Sequence, residues 1–94
     1  MRKGTTDRTI IDNDRTRVVE HSFAPGATTG WHRHEFDYVV VPLMDGRLKV
    51  VGAGGVESFA DLKAGEPYFR PAGTEHEVIN DGPGEYSFIE VELK

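Results

Sequence analysis

The chain has 94 residues, a formal charge of −5 with its four histidines counted neutral, and no cysteine. That length supports one domain, burying only about 60–65% of its unfolded surface, so the core is thin and a second copy would help to cover it. The cysteine count excludes disulfides, thiolate metal sites and cysteine nucleophiles, and the acidic balance, with no basic stripe, argues against a nucleic-acid partner.

Met1-Arg2-Lys3-Gly4-Thr5-Thr6-Asp7 carries basic residues with no apolar stretch behind them, so it does not read as a signal peptide. No run approaches the roughly 18–20 apolar residues of a membrane span. The expected location is the cytoplasm, with no membrane partner.

Residues 1–9 read as a polar N-terminal arm, either disordered or pairing with a partner subunit, and residues 10–94 as the domain. Arg15 to Phe23 alternates as a strand, with Val19, His21 and Phe23 on one face, and Pro25-Gly26 turns the chain. Trp31 to His34 is a short strand and Tyr38 to Met44 a valine-rich one. Asp45-Gly46 is a hairpin signal, returning through Arg47 to Val51. Gly54-Gly55 leads into Val56 to Leu62, Tyr68 to Arg70 is brief, and Pro71-Ala72-Gly73 turns again. His76 to Asn80 and Glu85 to Leu93 complete eight or nine short strands. Turn signals at such intervals predict an all-β fold, a small antiparallel β-barrel or jelly roll, closed enough to leave no strand edge bare.

Alternate residues of a strand share a face, so His32 and His34 can present two imidazoles to one point. His76 lies in a turn-bounded strand able to deliver a third. Convergence of the three would give neutral nitrogen donors for a divalent metal. His21, alone on its strand, reads as structural. Arg33 and Glu35 read as solvent-facing, and Glu75 and Glu77 as solvated flanks of His76. Phe23, Trp31, Phe36, Phe69 and Phe88 read as core or dimer-interface residues, and Gly26, Gly46, Gly65 and Gly73 as turn formers.

The spacing resembles the two motifs of the cupin superfamily, and among its members a small single-domain, RmlC-like cupin with its double-stranded β-helix. Gly26, His32, His34 and Gly46 fit the first motif, and Gly65, Pro71, Gly73, His76 and Asn80 match the second without a gap. The first motif's glutamate is missing: its place falls on Val39 counted back from Gly46, or on Tyr38 counted from His34. The resemblance implies metal ligation by His32, His34 and His76; Asp37, two residues from Val39 and on the same face of a straight strand, is a possible fourth ligand. The metal would be iron, manganese, nickel or zinc, and its identity is open. Three neutral ligands leave its charge uncompensated, which favours an anionic small molecule.

The reaction expected from such a site is that of a metal-dependent enzyme, a dioxygenase or isomerase, acting on a small organic acid or carbonyl compound. Tyr38 and Asp37 are the catalytic candidates. Arg70 and Tyr68 share a face and are candidates for binding a substrate carboxylate. The alternative is a non-catalytic barrel binding a small molecule or a metal as an accessory protein. A homodimer is expected in either case.

Overall fold

In the computed structural model, which describes residues 3–94, the chain forms nine strands in two sheets. They are β1 (Thr6–Asp12), β2 (Thr16–Phe23), β3 (His32–Arg33), β4 (Asp37–Pro42), β5 (Gly46–Val51), β6 (Glu57–Leu62), β7 (Tyr68–Arg70), β8 (Glu75–Ile79) and β9 (Tyr86–Leu93). One sheet has the order β1-β2-β9-β4-β7 and the other β3-β8-β5-β6, and neighbouring strands pair antiparallel throughout. The architecture is a two-sheet jelly roll. Its hydrogen bonding does not run continuously round a barrel, so β1, β7, β3 and β6 are edges.

Most strands lie within two residues of where turn chemistry places them, because Gly, Pro and Asp-Gly dipeptides punctuate the chain closely. The exception is β1. Thr6–Asp12 pairs along β2 of the same chain, from Thr6 opposite Ser22 to Asp12 opposite Arg17, with a bulge between Thr9 and Ile11. Every residue of β1 is exposed, so it lacks the apolar alternation that signals a half-buried strand. Met1 and Arg2, the start of the expected arm, lie outside the described residues.

β9 is the central strand of the larger sheet. Its inward residues Tyr86, Phe88 and Glu90 are buried, and they stand beside Phe23 and Val19 of β2 and Pro42 and Val40 of β4. Leu48, Leu62 and Val78 close the core from the other sheet. Trp31 and Phe69, two of the expected core or interface aromatics, are exposed on this chain.

Asn80 fastens one end of the fold. Its buried side-chain amide donates to the carbonyls of Phe23, Ala24 and Gly84, and its Oδ1 accepts from Gly82 N–H. Gly46 differs from the turn glycines: its φ is not positive, but a Cβ there would lie 2.6 Å from the Tyr86 ring, so close approach is what requires glycine. Gly73, by contrast, has φ +89° and needs glycine for its turn.

Candidate metal centre

His32 and His76 face each other directly across the β3–β8 pairing, so the register alone brings two rings to one side of the sheet. His34 lies just beyond β3 but stays tied to the turn before β8. Its N–H donates to Thr74 O at 2.9 Å, and its carbonyl accepts from Gly73 N–H at 2.8 Å. Alternation then turns its ring to the same side as that of His32. The Nε2 atoms of His32 and His34 are 2.9 Å apart and those of His34 and His76 3.1 Å, all three rings being partly buried.

A metal is tested by those spacings. Imidazole nitrogens about 2.0–2.1 Å from one ion stand about 2.9 Å apart when they subtend a right angle, and about 3.3–3.4 Å in a tetrahedron. The two observed spacings lie closer to the right-angled value. Protonation fits too. The Nδ1–H of His32 donates to the carbonyl of Gly30 at 2.9 Å, leaving the Nε2 of the neutral ring as the lone pair. Burial, reinforced by His32 and His34, lowers His76 to about 4, and burial also lowers His34. Lone pairs crowded together in this way suit a cation between them.

β4 supplies the residue behind the centre. Its inward residues are Tyr38, Val40 and Pro42, so the missing glutamate's place on the inner face is occupied by Tyr38. The phenol ring stacks on His34 with centroids 3.8 Å apart. Its hydroxyl is buried with no hydrogen-bond partner, and burial, with Glu90 and Tyr68 adding to it, holds the proton on well above the usual phenol range.

Asp37 has the opposite parity. It is exposed, its carboxylate accepts the Ala72 N–H at 2.7 Å, and it stands apart from the three-histidine group. The expectation that Asp37 would share the inner face fails because that face belongs to Tyr38, one residue on.

The histidines open onto a cavity of about 910 Å³ between the sheets. Arg70 and Tyr68 line it together, with the guanidinium 4.7 Å from the Tyr68 ring centre and donating to the carbonyl of Phe69. Sequence reasoning missed Glu90 on β9, in the same sheet as Tyr68 and across the cavity from the histidine strands. It is 8% exposed and flanked by Val19 and Val40 across the sheet. The signal was its parity, since Glu90 falls in step with Tyr86 and Phe88 on β9.

His21 is also more than a filler. Its Nδ1 lies 2.8 Å from Asp7 and its Nε2 3.8 Å from Glu90. Burial opposes charge on both His21 and Glu90, but each holds the other ionised: His21 is raised by Glu90 and Asp7, and Glu90 is lowered by His21.

Comparison with known proteins agrees with this architecture. The cupin domain family matches residues 19–92. The β-alanine degradation protein BauB of Pseudomonas aeruginosa is 52% identical over 84 residues, which is 89% of this chain and 87% of that protein. The crystal structure of a cupin domain from Bordetella pertussis Tohama I superposes with a TM-score of 0.96 at 45% identity, covering 100% of this chain and 97% of that one. A conserved protein of Klebsiella pneumoniae with a double-stranded β-helix domain superposes at 0.79 with 21% identity, over 96% of this chain and 76% of its own, a likeness of fold alone. With a match covering most of its length and both motifs placed on the strands that carry them, the chain belongs to the cupin domain family.

Proposed function

We propose that this cupin is a small metal-dependent enzyme of the oxygenase or isomerase type, acting on a small organic acid or carbonyl compound. The observation that carries the reading is the convergence of three Nε2 atoms within 4.8 Å of one another at the wall of a cavity. His32, His34 and His76 would hold a divalent iron, manganese, nickel or zinc ion, which when bound supplies a Lewis acid with positions open to a ligand. Arg70 and Tyr68 orient the carboxylate of an anionic substrate from the same cavity. Tyr38 contributes a neutral wall behind His34. The relative named for β-alanine degradation supports a substrate among small carboxylic acids.

A second reading has one observation in its favour. A phenol that keeps its proton stands in the carboxylate's place, which is compatible with a barrel that binds a metal or metabolite without turning it over.

The test is elemental analysis of protein purified without added metal, followed by oxygen uptake and product analysis with a panel of small keto, hydroxy and amino acids. Near-stoichiometric metal with turnover supports the enzyme. Metal without turnover of any of them supports the binding protein. Failure to take up any divalent ion on reconstitution rejects both metal readings.

We also propose that the chain works as a homodimer. Ile10 and Ile11 are 44% and 47% exposed on the edge strand β1, where a second copy would cover them.

A further inference from the structure

The Glu90 carboxylate lies in the middle of a sheet between two valines and is almost fully buried. A carboxylate so placed is costly unless it is paired and has a use. Its one ion pair is with His21 of β2, whose Nε2 is itself buried and without a hydrogen-bond partner at 3.8 Å. His21 in turn is held on its other side by Asp7, whose side chain is 52% exposed on β1. The array of Asp7, His21 and Glu90 thus runs inward from exposed β1 to buried β9, along the lining of the same cavity as the three histidines. Tyr38 on β4 and Tyr68 on β7, the other titratable neighbours on this wall, keep their protons and do not compete as bases.

We propose that Glu90 is the proton acceptor of this site, taking a proton from a ligand held at the histidine centre across the cavity, with His21, 3.8 Å from the carboxylate, as the positioning residue. The inference rests on the metal-centre reading and deepens it. Ligands of the matching class carry an ionisable O–H, or a C–H beside a carbonyl, next to the chelating oxygens: hydroxy-carbonyl and 1,3-dicarbonyl compounds and hydroxamic acids. On binding, the O–H or C–H bond breaks, the proton goes to a Glu90 carboxylate oxygen, and the electron pair stays on the ligand as its oxyanion or enolate. No oxidant is consumed. A neutral acid entering as its anion suits a centre built from uncharged ligands, since the released proton neutralises the carboxylate opposite.

The probe is acetohydroxamic acid added to the zinc-loaded protein. Calorimetry in buffers of different ionisation enthalpy then counts the protons passed to solvent. The parent is expected to release close to none, because Glu90 retains the proton, whereas Glu90→Gln should release about one and bind at least about tenfold more weakly. His21→Gln removes the cation that keeps Glu90 ionised, so its count should move toward that of Glu90→Gln even though Glu90 is present. A merely structural role for His21 would change melting temperature and leave the count alone. Equal counts in the parent and both variants, with zinc and probe bound in all three, overturn the Glu90 assignment and leave the metal centre standing. Failure of zinc to bind the parent overturns the metal-centre reading and the base with it.

Discussion

Single atoms decide much of the chemistry here. Tyr38 buries a hydroxyl with no partner, so Tyr38→Phe removes an unsatisfied polar group without opening a cavity. It is expected to raise stability slightly, by up to about 1 kcal/mol in denaturant unfolding, with metal binding unchanged. Asn80 is the reverse case. Asn80→Ala strips three buried or half-buried carbonyls of their donor, and unfolding should show a loss of about 3 kcal/mol. His21 sets a pH dependence. Its folded pKa is raised by Glu90 and Asp7 against the opposing effect of burial, so its pairing stabilises fully below its ordinary value and the gain is lost as pH rises through the raised one. Melting temperature of the parent should therefore fall as pH rises through the raised His21 value, and His21→Gln should flatten that decline. The three clustered histidines were legible in the sequence because motif spacing reports strand parity. Glu90 was not, because a lone glutamate in an alternating strand looks solvent-facing unless the buried residues in step with it are counted.

Among the elements, the β4 strand shows how a small error of parity changes a site. Two spacings placed the missing glutamate at Val39 or Tyr38, and only the shorter one matches the inward face. Asp37 then turns outward, where it caps Ala72 N–H and braces the turn ahead of β8. Its contribution to the centre is indirect. The edge strand β1 could not be read from the sequence at all, since a fully exposed strand carries no periodic apolar signal and forms only because β2 offers a free edge. The Gly46–Tyr86 contact gives an element-scale prediction. Gly46→Ala must push aside a ring whose hydroxyl bonds Met44 O, so β5 should pack against β9 less tightly, lowering the free energy of denaturant unfolding by about 1–3 kcal/mol.

For the whole molecule, a thin core makes ligand linkage large. A metal at one hundred times its dissociation constant adds about 2.7 kcal/mol, which for a domain of this size raises Tm by about 10–20 °C. Differential scanning calorimetry with and without chelator should show that shift in the parent and almost none in His32→Ala, His34→Ala or His76→Ala. Association belongs to the same scale. Lysine at both Ile10 and Ile11 places charge along the β1 edge, and light scattering should then report half the parent's mass. The jelly-roll class was legible from turn spacing, while its division into two sheets with four edges depends on which strands meet far along the chain, and local patterns do not encode that.

The direct opposition of His32 and His76 carries a consequence for assembly. A slip of one residue between β3 and β8 would swing the second imidazole to the outer surface, leaving two rings where three are needed. Under the proposed metal reading, ion capture would proofread strand alignment: a misregistered molecule would stay empty and lose the added stability. A refolded population would sort itself by whether it retains a cation.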